Sequence, residues 1–223
     1  MPALSDLQTS ASIPFFPALP RNSSFTDVSD PDKIKRIRHF AGGEVMFRQG
    51  EQPQGVFIVR RGTVKLYMTS SKGRVVILRI ARPGEMLGLA ASLSGEPCIA
   101  AAEALEDTEV SYVEREEFIA YLKHNPEAAL SVAQQACSNY KNACRQVSLL
   151  GSCRSASERV AQFLLSWTAP MPGLTHEEIS QAAGTTRDTV TRTLADFRRK
   201  GWASLASSKL TIQNPEALEK LVA

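Results

Sequence analysis

Histidine is scarce in this sequence: three in 223 residues, at positions 39, 124 and 176. A metal-dependent active site needs clustered imidazole and carboxylate ligands, and only His39 falls in the region that reads as β-structure. Cysteine is nearly as sparse. Cys98, Cys137, Cys144 and Cys153 contain no Cys-X-X-Cys pair. No apolar run approaches the ~18 residues that a membrane span requires. No basic residue precedes Arg21, and Pro14, Pro17 and Pro20 interrupt the apolar stretch near the N-terminus, so no secretory signal is expected. These absences point to a cytoplasmic protein with reduced thiols, no membrane partner, no cofactor and no metal. Charge of either sign is in small excess only: 26 Lys+Arg against 23 Asp+Glu, net +3. A pI near 8.7 is compatible with nucleic acid without specifying it. The composition, 43% hydrophobic and 22% charged, is that of an ordinary globular chain.

Residues 1–26 are rich in Ser, Pro and Ala and read as a mobile arm. Residues 27–124 carry the signals of short strands. Val64, Leu66 and Met68 alternate with Lys65, Tyr67 and Thr69, a period of two. Val45–Phe47, Val56–Val59, Val75–Ile80 and Val110–Val113 are further strands, with glycines between them at turn spacing. Many short strands with glycine turns imply a sandwich or barrel. Arg115–His124 then reads as a helix with Phe118, Ile119 and Leu122 on one face.

Asn125-Pro126 breaks that helix and opens another, placing 125–152 in one long element. Its apolar stripe is Leu130, Ala133, Cys137, Tyr140, Cys144 and Val147, with spacings of 3, 4, 3, 4 and 3. A 3.5-residue period suits a partner helix along the whole seam, hence a parallel homodimer. The alternative is that the stripe covers the β region. Cys137 and Cys144 share one heptad position, where they are either small seam residues or a redox pair.

Residues 153–223 form a third unit. Val160, Phe163, Leu164 and Trp167 make one apolar helix face. Thr175-His176-Glu177-Glu178 is a capping box, and Gly184 stops the short helix it opens. Thr186 can cap a second helix with Val190, Leu194 and Phe197 on one side. Arg187, Asp188, Thr191 and Arg192 lie on the other side, near its N-terminal end. Two short helices around a tight glycine turn make a helix-turn-helix, and the first turns of its second helix face base edges. Arginine can bond guanine twice, and a carboxylate can accept from cytosine. An ordinary solvated helical hairpin would not need this agreement of cap, glycine, stripe and polar face. Ala203–Leu205, a Ser207-Ser208 turn and Lys209–Ile212 read as a two-stranded wing that approaches phosphates, and Asn214-Pro215 starts a last helix. The DNA-contacting set is therefore Thr175, Thr186, Arg187, Asp188, Thr189, Thr191, Arg192 and Lys209.

The whole order resembles the cAMP receptor protein/FNR superfamily. Phe47–Glu51, Ile58–Val64 and Pro83–Gly88 resemble its β-domain signatures, and Arg187-Asp188-Thr189-Val190-Thr191-Arg192 resembles its recognition-helix core. The aspartate departs from the glutamate usual there. The resemblance implies an α+β fold: an N-terminal cyclic-nucleotide-binding-like β-roll (jelly roll), a long dimerisation helix and a C-terminal winged helix-turn-helix. It implies a homodimeric regulator on an inverted-repeat operator in double-stranded DNA, and no enzyme. A contact to RNA polymerase fits such a regulator but has no readable motif here.

The effector pocket departs further. Family members that bind cyclic nucleotides carry Gly-Glu and then, about ten residues on, Arg-Ser/Thr-Ala. Here Gly88 is followed by Leu89 and Ala90, and the arginine position falls at Cys98, followed by Ile99 and Ala100. The family's adenine-contacting hydroxyls fall at Ala143 and Cys144. A cyclic phosphate would meet no cation, so cAMP and cGMP are not expected as effectors, and the true effector has no signature. With no cysteine before Cys98, the family's N-terminal iron–sulfur cluster has no ligands. Apolar Leu89, Ile99 and Ala100 also fit a filled core, hence a regulator controlled by its abundance alone. A cupin-like enzyme on the same roll would need the metal ligands that are missing.

Overall fold

The computed structural model describes residues 36–152, 155–166, 173–206 and 209–222. The N-terminal arm, Cys153, Trp167 and the Ser207-Ser208 turn lie outside the described residues.

Eight short strands follow one another: β1 (Arg36–Phe40), β2 (Val45–Phe47), β3 (Gly55–Arg61), β4 (Val64–Thr69), β5 (Val75–Ala81), β6 (Met86–Leu87), β7 (Ala101–Ala104) and β8 (Thr108–Glu114). They pair antiparallel in two four-stranded sheets, ordered β1-β8-β3-β6 and β2-β7-β4-β5. Between the sheets Phe57, Val59, Val64, Leu87, Val110 and Tyr112 form the roll's core. Phe57 sits at its centre, with ring centroids 4.9 Å from Tyr112 and 5.7 Å from Phe47. Successive side chains of β3 point to opposite faces. Val56 and Ile58 therefore leave this core and enter a second one, with Met86, Leu89, Phe118 and Val132. A strand buried on both faces reads as an unbroken apolar run, as Val56–Val59 does.

α1 (Leu89–Ser94), α2 (Arg115–His124) and α3 (Pro126–Ser152) close that second side. α1 has no periodic signature in the sequence, because six residues are too few to show a 3.6 period. Beyond α3 come α4 (Ala156–Leu165), α5 (His176–Ala183), α6 (Arg187–Arg199), β9 (Ala203–Ala206), β10 (Lys209–Ile212) and α7 (Pro215–Val222). β9 and β10 pair antiparallel as the wing.

At the β5–β6 turn a buried ion pair holds the chain. The Arg79 guanidinium binds the Glu85 carboxylate and donates to the Met86 carbonyl at 2.9 Å. Burial pushes the Glu85 carboxyl above its ordinary value and Arg79 below its own, against their mutual attraction. The pair thus orders the turn more than it stabilises the roll.

Gly62 links β3 to β4 with φ +88°, and a Cβ there would lie 2.4 Å from Thr108 Oγ1 and 2.8 Å from Asp107 O. Positive φ costs an L-residue about 1–2 kcal/mol, and the clash adds to it. Gly62→Ala should therefore lower the melting temperature by about 5 °C or more in a thermal melt, at about 2–4 °C per kcal/mol for a chain of this size. An unchanged melt would mean that this turn relaxes without cost.

Candidate nucleic-acid interface

The α5–turn–α6 unit is built by local bonds. Thr175 Oγ1 accepts from Glu178 N at 3.2 Å, and Glu178 Oε2 accepts from Thr175 N at 2.9 Å. This reciprocal pair satisfies two N-terminal amides of α5. Gly184 ends the helix at φ 61°, ψ 39°, a conformation that costs glycine nothing. Arg159 Nε, on α4, bonds the Ala183 carbonyl at that end. Thr186 then caps α6 by accepting from Thr189 N at 3.3 Å.

Val190, Thr193, Leu194 and Phe197 bury one side of α6. Arg187, Asp188, Thr191 and Arg192 are exposed on the other. Asp188 stands in the first turn, favourably placed in the helix dipole, and Arg198 and Arg199 stand in the last.

The threonines of the expected contact set hold the frame. The hydroxyls of Thr186 and Thr189 meet at 2.8 Å. Thr191 Oγ1 donates to the Arg187 carbonyl at 3.0 Å and lies 2.9 Å from His176 Nδ1. Its single proton being committed, the imidazole is the donor in that second contact. His176 therefore braces the two helices across the turn, a role that its place inside a capping box did not reveal. Arg187, Asp188 and Arg192 keep side chains uncommitted to these bonds. Lys209 opens β10 opposite Ala206.

Glu178 has a second partner. Lys65 Nζ, on β4, lies 3.3 Å from Glu178 Oε1 and 2.8 Å from Glu103 Oε1, with Lys65 and Glu178 only 13% and 17% exposed. Burial works against the charge on Lys65, but the two carboxylates outweigh it and hold the amine above its ordinary value of 10.5. Ile77 and Ile80, on β5, join one apolar cluster with Val160, Leu164, Ile179, Leu194, Phe197 and Leu218. The helix-turn-helix is thus docked on the roll by an ion triad beside a shared core.

The expected effector pocket is assembled only in part. Leu89, Cys98 and Ala100 are buried. Ala90 is exposed and Ile99 is 69% exposed, so neither lines an interior site. The reason is alternation: Cys98 N bonds Glu51 O and Gly50 N bonds Cys98 O, which turns Cys98 and Ala100 inward and Ile99 out. The expectation that Ile99 fills the core is corrected accordingly. Gly88 caps α1 with φ 74°. Burial, reinforced by Glu51, pushes the Cys98 thiol up and keeps it protonated. Ala143 and Cys144 face solvent.

On α3 the roll is met by Ala128, Val132 and the half-buried Ala136. The heptad stripe lies on another face. Leu130, Tyr140 and Val147 are 61%, 72% and 71% exposed. Ala133, Cys137 and Cys144 are exposed with them. The stripe does not cover the β region.

Residues 37–125 match the cyclic nucleotide-binding domain family, and residues 158–221 match the Crp-like helix-turn-helix domain family. The chain is 30% identical over 188 residues to the cyclic AMP receptor protein of Thermus thermophilus, covering 82% of this chain and 87% of that protein. It is 28% identical over 204 residues to the nitrogen fixation regulation protein FixK of Bradyrhizobium diazoefficiens, covering 86% and 84%. The solved structure of FixK2 from Bradyrhizobium japonicum superposes with a TM-score of 0.77 at 27% identity, over 85% of this chain and 98% of that one. The fold and the site define a DNA-binding transcription regulator with an N-terminal cyclic-nucleotide-binding domain. The chain belongs to the cAMP receptor protein/FNR superfamily.

Lys65→Met should destabilise the protein by about 1–3 kcal/mol in denaturant unfolding, since it strands two half-buried carboxylates. Because the folded-state pKa is raised, that contribution is complete below the ordinary value of 10.5 and is lost as pH rises past the raised value. The deficit of the variant should therefore stay constant from neutral pH to about pH 10 and shrink only above it. A deficit that vanishes near neutral pH would place the stabilisation elsewhere.

Proposed function

We propose that the chain works as a homodimer on an inverted-repeat operator in double-stranded DNA, without control by cAMP or cGMP. Residues 27–124 serve as the sensor roll, 125–152 as the dimerisation helix and 153–223 as the DNA-binding unit. The observation that carries this reading is the outward stripe of α3, whose positions recur every 3.5 residues and whose large members Leu130, Tyr140 and Val147 are left exposed among the described residues. A second copy in parallel would cover Leu130, Tyr140 and Val147 with their own equivalents. Its two-fold axis would set two α6 helices about one helical turn apart, ~34 Å centre to centre. Arg187, Asp188 and Arg192 are the base readers in each half-site, by likeness a TGA or TTG.

Leu89 and Cys98 support the second half of the proposal. Both are buried, and by likeness to the family they stand at the positions from which a cyclic nucleotide would need a carboxylate for its ribose and a cation for its phosphate. The burial of Leu89, Cys98 and Ala100 favours a regulator with no small effector at all. RNA polymerase is the natural protein partner of such a regulator.

Selection of bound sequences from a random duplex pool, with and without cAMP and with and without reductant, tests the proposal. The same inverted repeat should be enriched in every arm; enrichment only with cAMP would overturn the effector reading.

Tyr140→Glu should sediment as a folded monomer and lose operator affinity, since a paired seam would bury its carboxylate at a cost of several kcal/mol. A dimeric Tyr140→Glu protein would move the seam elsewhere. Arg192→Ala should relax preference at one symmetric base pair, by about 1–3 kcal/mol per half-site. Unchanged preference would mean that α6 is not the reader.

A further inference from the structure

The solvent face of α6 does not end at Arg192. At about 100° per residue, Ala195, Arg198 and Arg199 return to the side of Arg187, Asp188 and Thr191, opposite the buried stripe. Here the helix forms one wall of an open groove of about 540 Å³, with β9 as the other; Ala195, Arg198, Arg199, Ala203 and Ser204 line it. The two alanines leave the walls short of bulk and the groove accessible.

The cations around it are committed differently. Arg199 binds Asp196. Lys200 Nζ also binds Asp196, at 2.7 Å, and lies 4.7 Å from the centroid of the Trp202 ring. Arg198 is exposed and makes no ion pair among the described residues. Across the groove, Gln213 Nε2 donates to Ser204 Oγ at 2.7 Å. With a lone pair so occupied, the Ser204 hydroxyl proton is left for another acceptor. A permanent guanidinium on one wall and a hydroxyl donor on the other are the chemistry of a phosphate oxygen site.

Position selects the source of the phosphate. Arg198 lies eleven residues beyond Arg187, about 16 Å along the helix axis at 1.5 Å per residue. The major groove is about 12 Å wide and 8.5 Å deep. A helix whose first turn touches base edges therefore carries Arg198 past the groove mouth, to the level of the sugar–phosphate strand. We propose that this groove seats a backbone phosphate of the bound duplex, held by Arg198 and Ser204. The proposal rests on α6 being the helix that enters the major groove.

The test is fluorescence anisotropy of the full-length protein on a labelled duplex of about three helical turns. It compares the selected operator with a scrambled sequence across a salt series. Arg198→Ala should weaken binding severalfold on both duplexes alike. It should flatten the plot of log affinity against log salt by about 0.9 per subunit, with base preference unchanged. Arg198→Lys should restore the slope. Ser204→Ala should weaken binding without changing the slope. A duplex with a neutral methylphosphonate linkage at the seated position of both half-sites should bind wild type and Arg198→Ala equally.

A wild-type slope in Arg198→Ala, while wild type binds the operator, overturns the groove alone. Altered base preference in that variant makes Arg198 a reader and also overturns it. Inorganic phosphate competing with duplex better than chloride at equal ionic strength would assign the groove to a free anion instead. Failure of wild type to bind any duplex overturns both this proposal and the reading beneath it.

Discussion

Phe197 packs its ring 5.5 Å from that of Trp202 and, with Val190 and Leu194, joins the core shared by α4, α5 and α7. Burying such side chains is worth about 1.5–3 kcal/mol each. A helix has one rotation that takes this stripe out of water. Which residues of α6 face outward, and in what order along its axis, follows from that single constraint. Arg187, Asp188 and Arg192 are presented because their opposites are buried. The threonines between them bond one another and the backbone, so the helix start is held while the long side chains remain available. His176 adds a brace from α5, which fixes the two helices against each other across Gly184.

The same unit is not independent of the roll. Glu178 completes the cap of α5 with one oxygen and binds Lys65 of β4 with the other. Ile77 and Ile80 turn away from the roll's interior and lie in the apolar cluster of the helix-turn-helix. A carboxylate that serves both a local cap and a long-range ion pair links the start of the first helix to the sheet. Orientation of α6 is thereby set against the β-roll by groups that are mostly out of water. The triad is strong in specificity of placement and modest in net energy, because each charge in it has also lost solvent.

α3 divides its faces between two tasks. Ala128 and Val132 are covered by the roll and α2, and Asn142 is buried further along the helix. Leu130, Tyr140 and Val147 are left in water. A helix of 27 residues is about 40 Å long, far more than the contact with one roll consumes. The heptad spacing of its outward face is the pattern that suits a second helix, which is the basis of the proposed dimer.

Much of this was determined by the sequence alone, wherever the deciding contacts lie within a few residues. The capping box at Thr175, the cap at Thr186, the stop at Gly184 and the stripe through Val190, Leu194 and Phe197 are local, and so were legible in order and spacing. β3 was legible as a strand from its apolar run, while its burial on both faces emerged only in the fold. Tertiary structure decided what strand register decides. Lys65 reaches Glu178 across 113 positions of chain, and nothing near either residue announces the other. Leu89 and Ile99 are equally apolar in sequence. One is buried and the other exposed, because Cys98 pairs through its backbone with the Gly50–Glu51 turn and sets the alternation. Arg198 and Ser204 face one groove only because the wing folds back along α6. Periodicity records which side of an element is apolar; it carries no record of which distant element will meet that side, since long-range pairing depends on how the whole chain closes.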